Sequence, residues 1–282
     1  MSRTEVVEGS GEGGCAPLLK WPGGKRTLVG YLQEHIPDQF GTYYEPFFGG
    51  GALFFALEPE RAVVADLNEE LVNCYRAVQS DPTGLIRVLR SFKNDEESYY
   101  TIRSYRPRTD LRRAARMLYL TRLCFNGIHR VNLKGDFNVP YGWKTHLETF
   151  DDLAIRRASE ALSGVDIRAG DFEVVTKDAA KGDLVYFDPP YTVAHAKNGF
   201  VKYNERIFSW EDQIRLAAHA RHLASNGCTV IVSNADHDSV RDLYRGAHVE
   251  TIERHSVISA SKKHRRMITE CLFVLGEETT LD

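Results

Sequence analysis

A chain of 282 residues that is 43% hydrophobic, 27% charged and 11% aromatic carries enough apolar material for one large core and a smaller appended unit, which excludes disordered and collagen-like classes. No apolar run approaches the ~18 residues of a membrane-spanning helix, and the start lacks the basic-then-apolar order of a secretory signal, so a cytoplasmic protein is expected. Net charge is only −3, yet ten Lys or Arg against two acids fall between Arg103 and Lys144. That segregation is either a footprint for phosphate contacts or a solvated helix face.

Residues 1–16 are rich in Gly and Glu without apolar periodicity and should form a flexible tail. Helical spacing at 26–36 is followed by a strand at 43–47, a helix at 51–58, a strand at 62–65 and a helix at 67–79. From 80 to 155 the rhythm breaks into Arg-rich helices (82–91, 96–104, 110–124) and the stretch FNGIHRVNLKGDFNVPYG, in which VNL and FNV flank a KGD turn and predict a β-hairpin. Strands return at 183–187, 228–233 and 270–275, around a helix at 210–225 whose His219 and His222 read as surface or partly packed. The expected fold is α/β, a mostly parallel sheet with helices on both faces, formed by 17–79 and 156–282 and interrupted by an inserted unit at 80–155. The five cysteines are widely spaced with no C-x-x-C pair and read as reduced, mostly core thiols.

YFDPPY at 186–191 is the most informative hexapeptide. An apolar strand ends at Asp188, and Pro189 and Pro190 then forbid ladder hydrogen bonds, so Asp188 sits at the sheet's carboxyl edge, where open α/β sheets bind ligands. A carboxylate, the Pro189 carbonyl and the Tyr191 ring suit methylation of an aromatic amine. Two acceptors bind the amine's two N–H groups and favour the geometry that exposes its lone pair, while the ring stacks on the extruded base. A strand-ending turn capped by Asp is the plainer alternative.

EPFFGGGALFFAL at 45–57 reads as strand, glycine turn and helix, a place for backbone to approach a ligand. After Gly49 and Gly51 the third position of a dinucleotide-binding G-x-G-x-x-G is Phe54, which argues against nicotinamide. Asp66 closes the next strand and either accepts ribose hydroxyls or caps a helix. In LLKWPGGKR at 18–26, Lys20, Trp21 and Lys25 surround a turn; Lys25 could meet a cofactor carboxylate or Asp188.

Taken in order, LLKWPGGK, EPFFGGGALF, VVADLNEELVNCY, CFNGIHRVNLKGDFNVPYG, YFDPPY, VIVSNAD and RRMITECLFVL resemble the Dam-type (D12 class) DNA adenine-N6 methyltransferases over roughly residues 17–276. The resemblance implies a Rossmann-like S-adenosylmethionine methyltransferase sheet, no metal, and a target-recognition unit at 80–155. It implies that Trp21, Lys25, Phe47, Gly49, Gly51, Asp66 and Asp188 serve the cofactor, and Asp188, Pro189, Pro190 and Tyr191 the chemistry. The substrate implied is double-stranded DNA with a flipped adenine. Phe125 would be the wedge that fills the gap, standing where relatives have Tyr, while Asn126, Ile128, Arg130 and Pro140 read sequence and Lys20 a flanking base. Arg130 suits guanine and Ile128 with Pro140 a thymine methyl, which together imply a GATC-like site. The chain departs from the pattern at Trp143-Lys144, where relatives carry Arg then an aromatic; Lys144 could supply the lost phosphate contact. Asn132 and Asn138 read as satisfying turn backbone, and 261–266 (SKKHRR) as a solvated loop or a DNA clamp. Other readings are an amino-methylase of RNA or protein glutamine, and an inactive DNA-binding homologue. A monomer is expected, since no exposed apolar stripe asks for a partner.

Overall fold

Short apolar runs make the strands at the centre: AVVAD in β2 and LVYF in β4 are buried along nearly their whole length, as strands covered on both faces must be. The computed structural model describes residues 15–132, 134–193, 208–255 and 267–276. The strands are β1 (Tyr43–Glu45), β2 (Ala62–Asp66), β3 (Asp166–Ala169), β4 (Leu184–Phe187), β5 (Thr229–Ala235), β6 (His248–His255) and β7 (Met267–Leu275). They form a seven-stranded sheet in the order β3-β2-β1-β4-β5-β7-β6. The first five pair in parallel, and β7 runs antiparallel between β5 and β6.

From β1 the chain steps outward through β2 to β3, then restarts on the other side of β1 with β4 and β5. The carboxyl ends of β1 and β4 therefore diverge at a topological switch point, the crevice where such sheets hold ligands. YFDPPY and the glycine turn both begin there.

The helices are α1 (Val29–Glu34), α2 (Ala52–Leu57), α3 (Glu69–Ser80), α4 (Pro82–Leu89), α5 (Glu96–Ser104), α6 (Asp110–Leu123), α7 (Asp152–Ala161), α8 (Phe172–Val175), α9 (Trp210–Ser225) and α10 (Asp238–Leu243). Their starts follow side-chain chemistry. Asn68, Asp81, Asp95 and Asp151 each accept backbone N–H groups at a helix start, and Ser209 with Asp212 forms a capping box on α9. One apolar cluster joins β1, β2, α2 and α3 to Leu85, Tyr99 and Leu118 of α4, α5 and α6; a second packs α8, α9 and α10 on the opposite face. Helices α4, α5 and α6 thus share a core with the sheet.

Several expectations change in detail. The strand expected at 43–47 stops at Glu45, because Pro46 cannot donate to a ladder. The helix expected at 26–36 divides into a 3-10 turn at Arg26–Leu28 and α1. Strands β3 and β6 and helix α7 were not readable as elements. In β3 only Ile167 is buried, and β6 is an edge strand carrying His248, Glu250 and Glu253. Among the described residues the hairpin shows one antiparallel bridge, Val131 to Phe137, closed by Asn132 N–H donating to the Asp136 carbonyl at 2.8 Å. Segment 261–266 and nearly all of the expected tail lie outside the described residues.

Candidate active site

Asp188 leaves the end of β4 half-buried, and the ammonium of Lys25, only 5% exposed, lies 2.8 Å from its Oδ1. Asp188 is one of the two partners that the sequence offered to Lys25. Nζ also donates to the Gly23 carbonyl at 3.0 Å and sits 4.6 Å over the Tyr191 ring. The cation is thereby fixed by a carboxylate, a carbonyl and an aromatic face, and it orients the carboxylate in turn. Tyr191 donates its hydroxyl to Glu270 of β7 at 3.1 Å. Burial, with Asp188 and Glu270 nearby, pushes that phenol well above its ordinary value. The Pro190 carbonyl accepts from Gln213 Nε2 at 3.1 Å, and Gln213 Oε1 accepts from Asn234 Nδ2 at 2.9 Å.

Across the switch point, Gly49 and Gly51 take positive φ, 48° and 63°. A β-carbon on Gly51 would lie 2.6 Å from Phe48 Cζ, and one on Gly49 2.9 Å from Trp21 Cδ1, so glycine is required at both. Asp66 accepts from Gly49 N–H at 3.1 Å and Asn68 N–H at 2.9 Å, while Tyr75 OH donates to the Gly49 carbonyl at 3.1 Å. Asp66 therefore braces the turn, and Asn68, rather than Asp66, caps α3. Burial raises the Asp66 carboxyl above its ordinary value. Phe47 is half-buried, with Phe172 at 5.7 Å and Phe208 edge-on at 5.4 Å. Beneath the crevice Glu45 is fully buried and accepts from Tyr43 OH at 2.8 Å; burial pushes its carboxyl up to about 8.

The FNG turn lies at the end of α6. Cys124 bridges Tyr141, Phe125 N–H donates to the Pro140 carbonyl at 2.9 Å, and Gly142 N–H donates to the Leu123 carbonyl at 2.8 Å. This pairing places Phe125 (52% exposed), Asn126 (φ 57°), Ile128 and Pro140 on one scaffold, with the Lys20 stem lying across Gly127. Arg130 donates Nε to Asn138 Oδ1 at 2.8 Å, which holds the guanidinium by its inner nitrogen. Asn132 Oδ1 accepts the Lys134 and Asp136 N–H groups, as expected of a turn residue, whereas Asn138 serves Arg130. Lys144 donates to the Arg122 carbonyl at 2.9 Å, and burial lowers its ammonium below the ordinary value. Trp143 is 66% exposed at φ 53°.

The basic block is less free than its composition implies. Arg103 and Arg116 donate to backbone carbonyls, Arg106 pairs with Asp136, and Arg113 pairs with Glu70 and Asp110. Among the described residues, Arg108, Arg112 and Lys134 have side chains with no such partner.

Residues 21–258 match the family model described as D12 class N6 adenine-specific DNA methyltransferase. A Type II methyltransferase, M1.LlaDCHI of Lactococcus lactis subsp. cremoris, is 40% identical over 91% of this chain and 94% of its own. The chain belongs to the D12 class of adenine-specific DNA methyltransferases. The Retron Ec67 DNA adenine methylase of Escherichia coli is 33% identical over 92% of this chain and 91% of its own, and the DNA adenine methylase of Vibrio cholerae O395 is 31% identical over 90% and 94%. In this D12 methyltransferase, four groups at the crevice escaped the sequence reading: Glu45, Gln213, Asn234 and Glu270. Each lay inside a quoted motif or helix, but nothing in one sequence distinguishes a buried polar side chain from an exposed one. No helix among the described residues is long and apolar enough to cross a membrane, and no three potential metal ligands gather among them.

Proposed function

We propose that this methyltransferase transfers the methyl group of S-adenosylmethionine to N6 of an adenine flipped out of duplex DNA, within a GATC-like site, acting as a monomer in the cytoplasm. The observation that carries the reading is the Lys25–Asp188 pair at 2.8 Å, at the switch point and against the Tyr191 ring.

The side chains present fit the cofactor by chemistry. The crevice offers Asp66 for a ribose diol, the Phe47 ring for an adenine face, Trp21 above the glycine turn, and the Asp188 carboxylate near a positive sulfur. S-adenosylmethionine, when bound, supplies a methyl group activated by that sulfonium. Asp188 and the Pro189 carbonyl accept the two N–H groups of the adenine amine; the Pro190 carbonyl is already engaged by Gln213. Held in this way, the N6 lone pair is withdrawn from the ring and aimed at the methyl carbon. Transfer would form the N6–C bond at the expense of the donor's C–S bond, and the Asp188 carboxylate would carry the proton lost by N6 toward solvent. Lys25 keeps the carboxylate in register throughout.

Residues 80–155 are the proposed DNA-reading unit, joined to the catalytic residues 17–79 and 156–282. Phe125 fills the space left by the base, offsetting a few kcal/mol of unstacking. The fork of Arg130 meets guanine O6 and N7, Ile128 and Pro140 meet a thymine methyl, Lys20 meets a flanking base, and Asn126 contributes to reading. Lys144, engaged at the end of α6, would reach a phosphate only with its remaining N–H groups. Labelled S-adenosylmethionine offered with a GATC duplex, a permuted duplex, RNA and protein tests the reading. N6-methyladenine confined to the GATC duplex is expected; label in RNA or glutamine amide alone would overturn it.

A further inference from the structure

Trp21 and His129 come from segments far apart in sequence, yet their rings stack with centroids 4.8 Å apart and planes inclined by 21°. On its hairpin side His129 meets Phe137 edge-on at 5.7 Å, and Phe137 is a buried residue of the second hairpin arm. On the opposite side Trp21 lies on the glycine turn so closely that a β-carbon on Gly49 would sit 2.9 Å from its Cδ1. The result is one continuous stack: glycine turn, Trp21, His129, Phe137. Beside it, the Lys20 stem covers Gly127, where a β-carbon would come within 3.0 Å of Lys20 Cδ. The strap that carries Lys20, Trp21 and Lys25 therefore touches the crevice at one end and the FNG turn at the other.

The histidine suits this place. Burial pushes its imidazole down to about 4, so the ring is neutral near pH 7 and packs against indole without desolvating a charge. A flat ring also presents a face to Trp21 and an edge to Phe137, which an aliphatic side chain of the same volume cannot do.

We propose that His129 is a positioning residue that joins the cofactor pocket to the recognition hairpin, seating Trp21 on the glycine turn through the same stack that holds Phe137. This rests on the reading of the hairpin as the DNA-reading element. An occupant of the crevice that fixes Trp21 then fixes the hairpin, and DNA that fixes the hairpin fixes Trp21. By linkage the effect is reciprocal: each ligand tightens the other by the same factor.

The experiment measures the dissociation constant of S-adenosylhomocysteine by calorimetry, with and without a saturating duplex containing the methylated motif, for the wild type, His129→Leu and His129→Phe. Wild type should bind the product about 5–150-fold more tightly with DNA present, the usual range of coupling between sites. His129→Leu fills the volume without an aromatic face and should bring that factor to within about twofold of unity. His129→Phe should restore it. A merely structural role would change thermal stability and leave the factor intact. An undiminished factor in a folded His129→Leu protein, or no coupling in the wild type, overturns the proposal. Where His129→Leu does not fold, the same comparison on Phe137→Leu decides, with loss of coupling expected and an unchanged factor contradicting. Failure of the functional reading looks different: the duplex then does not bind, or Arg130→Ala leaves site preference unchanged.

Discussion

Around Asp188 the side chains hold one another: Lys25 at 5% exposure pairs with the carboxylate, Tyr191 with Glu270, and the Pro190 carbonyl with Gln213 and, through it, Asn234. Around Arg130 the backbone is fixed and the side chains are left outward. Phe125 is 52% exposed, the Arg130 guanidinium is tied only at Nε among the described residues, and Asn126 and Trp143 hold left-handed backbone at φ 57° and 53°. The difference suits the two kinds of work proposed for these regions. Electrostatic catalysis needs groups that do not reorganise as charge develops, whereas reading bases needs donors and apolar faces free to meet an edge in a groove. Left-handed backbone at non-glycine residues costs roughly 1–3 kcal/mol each, and such positions gather where function over-determines them.

The largest way to break the comparison is at its rigid side. Asp188→Ala should lower methyl transfer by at least about 10²–10³-fold while leaving duplex affinity within a few fold, because the contacts proposed to hold the duplex lie on the FNG scaffold and not at Asp188. Filter binding beside a tritium assay tests it, and equal losses in both would sink the assigned role. Next comes Glu45, whose burial raises it to about 8. Its folded value lies above its unfolded one, so its contribution to stability is present below about pH 4.5 and is lost as pH rises through 8. Glu45→Gln should therefore be more stable than wild type at pH 9, by about 2–4 kcal/mol, and nearly equal to it at pH 4. Denaturant melts at the two pH values read this directly; a difference of the same size at both would assign it to packing.

On the exposed side the expected effects are smaller. Arg130→Ala should relax discrimination at one base pair by about 1–3 kcal/mol, read as relative methylation rates on singly substituted duplexes. Unchanged preference removes Arg130 from the reading set. Smallest is the acid dependence of His129, whose imidazole is depressed to about 4. The unfolded chain binds the proton first, so the stability this ring contributes is full above about pH 6.5 and falls as pH drops toward 4. His129→Phe should remove about 1–2 kcal/mol of that loss, the partial exposure of the ring having been allowed for.

The same contrast governs what one sequence discloses. YFDPPY, the glycine turn and AVVAD were legible because each carries backbone logic: prolines that end a ladder, glycines that take positive φ, an apolar run closed by a carboxylate. β3 and β6 were not, since edge strands bury one face at most and their polar residues hide the alternation. The cations from Arg103 to Lys144 counted as a free patch, yet Arg116 and Lys144 are engaged by backbone carbonyls, a use of charge that composition does not distinguish from solvation. Glu45 and the Gln213–Asn234 pair were not legible, because burial of a polar side chain depends on which elements fold over it. Trp21 read as a cofactor contact, and its partner His129 comes from a segment that sequence distance gives no reason to place beside it.

The most direct test of the central claim is methyl transfer from labelled S-adenosylmethionine to a random-sequence duplex pool, followed by sequencing around each N6-methyladenine. One short motif containing adenine, GATC-like and dependent on Arg130, is the expected result. Methylation without sequence preference, or none in DNA by a folded and cofactor-bound protein, would contradict it.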